Sequence, residues 1–380
     1  MRIGIVAGEA SGDYLGAGLL RALKTIVSDL HVEGIAGPQM IKEGARSMFP
    51  MEDISLIGVD GLVKNFARLL SIRRHLYQHF SSHPPDLFIG IDLPDFNLQL
   101  ERRLKKVGIS TIQYVSPTVW AWRTWRIRKI RKSVDHMLVL FPFEEEFCKK
   151  NGIAATFVGH PSADDLSDIS MEDLRRKLGL PYDRELVALL PGSRKSEVIS
   201  LGEDFLEAAS LLHLQRPGIE FAVPYVSQEI QEIFRSQKKR IAQRIVLHEF
   251  HGHSLQVMGA SNVILAASGT AALEGAMLRK PVIVAYKISQ LSYLLAKQMM
   301  KTPYVSMPNN LLDEHVIPEI LQNDVTALRL STEVTAILEN PQRSKEMVER
   351  LEIIYRMLKN NANQLAAKKV VELAATWAAR

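Results

Sequence analysis

A chain of 380 residues, 47% hydrophobic and 23% charged, has enough apolar material for about two packed domains, which excludes a mainly disordered protein. Its net charge of +5 and pI near 9.1 suit phosphate-bearing partners, nucleic acid or an anionic membrane face without choosing among them. The single cysteine, Cys148, excludes an internal disulfide; the first apolar run meets Glu9 too soon for a signal-peptide core, and no apolar run reaches the roughly 18 residues of a spanning helix, so a cytoplasmic chain is expected.

Short apolar runs at 3–7, 87–91, 111–115 and 136–140 are predicted strands with amphipathic helices between them, the rhythm of a parallel sheet covered by helices. The rhythm restarts after Gly159-His160-Pro161, with strands predicted at 186–190, 219–223, 245–247, 263–266 and 282–285. The polar stretch 162–170 reads as a linker, and beyond Pro341 the pattern is helical, with Met347, Leu351, Ile354 and Leu358 at helical spacing. The expected fold class is α/β, with two doubly wound parallel-sheet domains, 1–161 and 162–340, followed by C-terminal helices over 341–380. Two such sheets facing one another would leave a cleft lined by the carboxyl ends of strands, where ligands of open α/β sheets bind.

The first loop, Gly8-Glu9-Ala10-Ser11-Gly12-Asp13, follows a strand and opens a helix, so its small residues let a ligand approach backbone donors and make Glu9 and Ser11 candidate contacts. A tight turn capped by Ser11 is the plainer reading, and the glycine spacing does not fit a dinucleotide fingerprint. The next strand delivers Asp92 to its carboxyl end, where a carboxylate could take a proton from a hydroxyl; Pro94 suits the first helical position and Asp95 the first turn. For an isolated aspartate a turn role is the plainer reading. Residues 116–123 then place Trp120 and Trp122 beside Arg123, aromatic faces suited to sugar rings and acyl chains. Residues 125–132 add Arg126, Arg128, Lys129, Arg131 and Lys132 without an acid, attractive to phosphates or simply a solvated helix face. No recognised nucleic-acid module accompanies this run, so no nucleic-acid partner is expected.

In the second half, Pro191-Gly192-Ser193-Arg194 forms a glycine turn before a helix, and Arg194 could clamp a diphosphate with two hydrogen bonds while staying charged. Ser268, Gly269 and Thr270 precede another helix, and Glu274 shares the face of Thr270, so the helix start can hold a phosphate while Glu274 reaches a ribose. Read alone, Ser268 is an N-cap and Glu274 a solvated carboxylate. No cofactor motif, zinc signature or D-x-D occurs, and His248, His251 and His253 read as a surface loop, so neither metal nor cofactor is expected.

Together Gly8 to Asp13, Gly90 to Asn97, Ser116 to Arg123, Leu190 to Arg194 and Ala267 to Glu274 resemble the lipid-A-disaccharide synthase family in order and spacing across nearly the whole chain. The resemblance implies a GT-B fold whose last helices cross back to the first domain, with the acceptor received by the first domain and UDP by the second. It implies an inverting hexosyltransferase that moves 2,3-diacylglucosamine from UDP-2,3-diacylglucosamine to the 6-hydroxyl of 2,3-diacylglucosamine 1-phosphate, releasing UDP. Asp92 is then the candidate general base, Arg194 the diphosphate contact, Glu274 the ribose contact, and Asn309 a residue near the donor. Asp313-Glu314-His315 stands where the family commonly shows Gly-Arg-Glu. The implied setting is peripheral, on the cytoplasmic face of the inner membrane, and a homodimer is compatible with it.

A UDP-sugar 2-epimerase is the nearest alternative, since it shares the architecture and the kind of UDP site but needs no lipid surface; the tryptophan motif and the basic amphipathic segments favour the lipid enzyme. In 61–80, Leu62, Phe66, Leu69, Leu76 and Phe80 can share one helical side while Lys64, Arg68, Arg73 and Arg74 add four cations and no acid occurs. That pattern suits a helix lying in an anionic bilayer interface; periodicity alone slightly favours a core-facing helix, and the acylated substrates that the resemblance implies favour the membrane.

Overall fold

A computed structural model of the chain describes residues 1–55, 62–121, 124–166, 170–241, 244–289, 293, 299–300 and 302–378. Contacts divide it into two units, Met1–Asp164 with Leu358–Arg380, and Asp165–Met357.

The first unit is built on β1 (Arg2–Ala7), β2 (His31–Ile35), β3 (Arg46–Ser47), β4 (Leu87–Ile91), β5 (Thr111–Tyr114), β6 (His136–Val139) and β7 (Ala155–Phe157). They form one parallel sheet in the order β3-β2-β1-β4-β5-β6-β7. Burial on both faces explains why β4 is apolar along its whole length. β2 escapes a hydrophobic-run reading because Glu33 and Gly34 interrupt it. Gly34 stands there at φ +150°, and a Cβ would lie 1.9 Å from the Ile5 carbonyl oxygen, so no other residue fits beside β1. β3 and β7 are too short to show a period.

The helix Leu62–Ser82 covers this sheet with Ile72, Leu76 and Phe80 in a core shared with Phe88, Phe96 and Leu100. Leu69 packs against the same core, and the Arg73 side chain is buried with its guanidinium 5.6 Å from the Phe96 ring centroid. At Leu69, Leu76 and Phe80 the periodicity is therefore that of a core face, while Gly61 and the side chains of Leu62, Lys64 and Phe66 lie outside the described residues.

The chain returns to this unit through its last helix, Ala362–Ala378, which packs on the helix Ala10–Lys24. Asp164 receives it: one carboxylate accepts the backbone N–H groups of Asn360 at 3.0 Å, Asn361 at 2.9 Å and Ala362 at 2.6 Å, where a negative charge offsets the helix dipole. The expected division at 340 differs from what is observed, because residues 341–357 belong to the second unit. Their apolar side, including Met347, Leu351 and Ile354, is buried; Arg343 pairs with Glu333 at 2.7 Å and Arg279 lies 4.5 Å from the Tyr355 ring centroid.

The second unit carries β8 (Leu186–Leu190), β9 (Glu220–Tyr225), β10 (Leu247–His251), β11 (Val263–Ala267), β12 (Val282–Tyr286) and β13 (Glu319–Leu321) in the parallel order β10-β9-β8-β11-β12-β13. His248 and His251 thus lie in the edge strand β10 rather than in a loop, and His248 pairs with Glu220 at 2.6 Å. Strand order reverses between β1 and β4 in the first sheet and between β8 and β11 in the second. Those are the positions where the loops after adjacent strands diverge and leave room for a ligand. Among the described residues no helix is long and apolar enough to cross a membrane.

Candidate functional site

In the first unit the reversal point brings together the loops holding Glu9, Ser11 and Asp92. β1 and β4 pair from Ile3↔Leu87 to Ala7↔Ile91, so both chains leave the sheet side by side. A Cβ on Gly8 would sit 2.5 Å from Leu93 Cδ2, so the glycine sets the closeness of the two loops. Ser11 does not cap the helix: the N-cap is Glu9, and Ser11 is an exposed first-turn residue. Asp13, which the sequence reading left without a role, is buried, and its carboxylate accepts the N–H groups of Gln39 and Met40, both at 2.9 Å, at the start of the helix Pro38–Lys42.

Asp92 and Leu93 are consecutive left-handed residues, φ 50° and 44°, a conformation that costs a non-glycine residue energy and needs support. Support comes from below. The Asp92 N–H donates to Tyr114 O at 2.8 Å, and the Asp92 carbonyl accepts both Asn97 Nδ2 and Gln113 Nε2 at 2.9 Å. Pro94 starts the next helix, Pro94–Lys106. Burial raises the Asp92 carboxyl above the usual aspartate range, partly offset by the Leu93 N–H. Asp95, by contrast, is exposed and ion-paired with Arg126, which takes that arginine out of the free basic run.

Trp120 is held in place: its Nε1–H donates to Glu144 Oε1 at 3.0 Å and its ring meets Phe143 edge-on at 4.7 Å. Glu144 also accepts the Phe141 N–H at 3.2 Å, and burial pushes its carboxyl up to about 8 despite those donors. The signal was available in Phe141-Pro142-Phe143-Glu144, a proline followed by an acid in a helix's first turn. Trp122 and Arg123 lie outside the described residues.

In the second unit the loops after β8 and β11 adjoin at the other reversal point, since those strands pair from Val263↔Val187 to Ala266↔Leu190. Arg194 is the N-cap of the helix Lys195–Gln215, and its exposed side chain reaches Glu197 at 2.9 Å. Glu197 also accepts the N–H groups of Ser193 at 2.9 Å and Arg194 at 3.2 Å, so a carboxylate occupies donors that an anionic ligand would use. Across from it, Ser268 does not cap the helix Thr270–Met277; Gly269 is the N-cap, at φ +134°, and no side chain caps the helix start. Thr270 and Glu274 lie on that helix as expected. Among the described residues Glu274 has no side-chain partner, and burial pushes its carboxyl up to about 7. A half-buried carboxylate without a donor, one turn from an uncapped helix start, is an acceptor waiting for hydroxyls.

Asn309 is corrected from donor contact to scaffold. It is wholly buried, Nδ2 donates to Ile317 O at 3.0 Å and Glu319 Oε1 at 2.9 Å, and Oδ1 accepts Val316 and Ile317 N–H, both at 2.9 Å. No polar atom of the amide is left for a ligand, and its work is to hold the loop that carries Asp313, Glu314 and His315. Glu314 pairs with Arg350, so an arginine does meet this loop, but from the helix Pro341–Leu358. A hollow of about 680 Å³ adjoins the loop, and its arginines are spent on protein acids, with Arg329 and Arg343 both on Glu333.

Solved structures share this architecture. UDP-GlcNAc 2-epimerase from Neisseria meningitidis, bound to UDP-GlcNAc, superposes with TM-score 0.67 at 11% identity over 99% of this chain and 100% of its own. Anabaena HepE in complex with UDP-glucose gives 0.57 at 14% identity over 98% of this chain and 100% of its own. Such low identities establish the fold alone, and it is the parallel α/β architecture of GT-B glycosyltransferases and their epimerase relatives. The particular family comes from closer similarity. The family model described as lipid-A-disaccharide synthetase matches residues 3–373, and the lipid-A-disaccharide synthase of Methylobacillus flagellatus is 43% identical over 371 residues, 97% of this chain and 98% of its own. The chain belongs to the lipid-A-disaccharide synthetase family and is a hexosyltransferase that forms the lipid A disaccharide. The epimerase alternative is thereby set aside.

Proposed function

We propose that the second unit holds UDP-2,3-diacylglucosamine at the β8/β11 reversal point, and that Asp92 of the first unit is the general base for the 6-hydroxyl of 2,3-diacylglucosamine 1-phosphate. The observation that carries the donor reading is Glu274, without a side-chain partner among the described residues and beside a helix start that no side chain caps. UDP-sugars bound to proteins of the same fold support it. In this reading Arg194 leaves Glu197 to contact the diphosphate, the Ser268-Gly269-Thr270 turn receives a phosphate oxygen, and Glu274 accepts ribose hydroxyls. Glu9 and Ser11, beside Asp92, and Trp120 contact the acylated sugar.

The reaction is one displacement. The acceptor oxygen bonds to the anomeric carbon as the bond from that carbon to the UDP oxygen breaks; the hydroxyl proton passes to Asp92 and UDP departs with the electron pair. Inversion follows, and one base suffices. Arginine and helix-start N–H groups offset the leaving group's charge.

A carboxylate near 7 makes the donor reading testable by pH. Above that pH Glu274 is ionised and accepts hydroxyl hydrogen bonds at full strength; below it, protonation weakens them. UDP affinity measured by calorimetry falls about tenfold as pH drops below the Glu274 transition, the value of one charge-assisted bond. Glu274→Gln binds weakly throughout and loses that component. Wild-type affinity in the glutamine variant contradicts the ribose contact.

The acylated substrates also imply collection from a lipid surface, and we propose peripheral binding on the inner face of the cytoplasmic membrane. Of the cations expected for this in 61–80, Arg68 pairs with Asp53 at 2.6 Å and Arg73 is buried, Arg74 stays exposed, and the Lys64 side chain lies outside the described residues. Further cations gather on the neighbouring helices. Arg102, Arg103, Lys106 and Lys129 line one hollow of about 530 Å³, and none of them has an ion pair among the described residues. At about 1 kcal/mol per cation near an anionic surface, four would support reversible binding. Arg102→Gln/Lys106→Gln should reduce binding to phosphatidylglycerol vesicles about tenfold or more, as added salt should, without altering the thermal transition. Unchanged vesicle binding removes this face as the contact. Leu70, exposed on the 62–82 helix, is the cleaner apolar probe than Leu69, which is packed in the core.

A further inference from the structure

Under the Asp92 loop lies a buried polar cluster that is short of hydrogens if every acid is ionised. Asn97, Glu101 and Gln113 are wholly buried. Asn97 and Glu101 are one turn apart on the 94–106 helix, and Gln113 is the register partner of Gly90 across β4 and β5. Gly90 makes the space: a Cβ there would lie 2.4 Å from Glu101 Oε1 and 2.9 Å from Gln113 Oε1, so both oxygens crowd one spot.

Both amides are oriented by what they donate to. Asn97 Nδ2 faces the carbonyls of Asp92 and Ile91 at 2.9 and 3.3 Å, and Gln113 Nε2 those of Asp92 and Val115 at 2.9 and 3.3 Å. Carbonyls only accept, so neither amide can flip, and both amide oxygens are left inside. There Asn97 Oδ1, Gln113 Oε1 and both carboxyl oxygens of Glu101 are buried without a donor among the described residues. Four acceptors with no hydrogen would repel one another in a low dielectric.

We propose that Glu101 is kept as a neutral carboxylic acid that donates its own proton to the Gln113 amide oxygen, and that it is a positioning residue for Asp92, locking the Gln113 amide onto the Asp92 carbonyl. The geometry agrees with the direction of its acidity: burial, reinforced by the charge of Asp135, holds the Glu101 carboxyl well above the usual glutamate range. Asp135 in turn is tied to Lys105 at 2.8 Å and to the Thr111 N–H at 2.9 Å, on the side of the cluster away from Asp92. The proton thus acts at second hand. It fixes the Gln113 amide, which together with the Asn97 amide holds a left-handed pair that strain alone would release.

The inference rests on Asp92 as the base, and its test separates the two. Glu101→Gln keeps shape and supplies an N–H donor, so kcat stays within about threefold of wild type; Glu101→Leu removes the donor, and kcat falls about tenfold or more while the donor KM moves less than about twofold, as expected when a base is misplaced and not lost. Equal rates in Glu101→Leu, or a glutamine variant as impaired as the leucine one, overturn the proposal. Infrared difference spectra of wild type against Glu101→Gln read the protonation state directly and do not need the leucine variant to fold. A protonated-carboxyl stretch at neutral pH is expected, and carboxylate bands in its place overturn the proposal. If the acid band is present but Asp92→Asn is fully active, the base assignment fails while the neutral Glu101 stands.

Discussion

Asp92→Asn lowers kcat about a hundredfold or more, the range for losing a general base, and leaves UDP binding and the thermal transition near wild type. Asparagine is the fitting substitution because it tolerates the left-handed backbone that Asp92 adopts at φ 50°, and because the support of this residue runs through its main-chain carbonyl, which the change preserves. Alanine at the same position would confuse lost chemistry with strain. Asp95→Asn is the control: that carboxylate is exposed and paired with Arg126, a surface pair contributing at most about 1 kcal/mol, so its rate changes little. Since burial raises the Asp92 carboxyl, the acid limb of the rate profile should lie above the ordinary aspartate range. Near-wild-type turnover in Asp92→Asn would remove it as the base, and a lost thermal transition would assign it to structure.

Arg194→Ala weakens UDP binding roughly 10- to 100-fold, because charge-assisted hydrogen bonds to a diphosphate contribute about 1.5–3 kcal/mol. Stability should hold, since the partner of Arg194 is a surface pair with Glu197 and the side chain is 78% exposed. The turn should keep its shape as well, because Glu197 grips the Ser193 and Arg194 N–H groups, which alanine retains. Lysine restores only part of the affinity, lacking the planar fork. Unchanged calorimetric affinity in Arg194→Ala would leave the diphosphate to the 268–270 helix start.

The loops carrying Asp92, Arg194 and Glu274 were legible in the sequence because buried parallel strands are near-continuous apolar runs, and in such sheets the residues after a strand's carboxyl end face the ligand. Less legible was everything that holds those loops. Asn97 and Gln113 look like ordinary polar residues until the fold places both amides under one carbonyl. Glu101 sits among Arg102, Arg103 and Lys105 and reads as a solvated helix charge, yet it points inward. Asn309 misled for the complementary reason: a motif residue beside a ligand loop looks like a contact, and only its four internal hydrogen bonds show that it is a brace. In the 62–82 helix, core and membrane faces share one periodicity, and Phe80 was settled by burial alone.

The most direct test of the account is incubation of the purified chain with UDP-2,3-diacylglucosamine and 2,3-diacylglucosamine 1-phosphate, with mass analysis of the products. A β-1,6-linked disaccharide 1-phosphate and UDP should appear in equal amounts, and only when both substrates are present. Active controls from a relative alongside no disaccharide here, or UDP release without an acceptor and with no disaccharide, would contradict it.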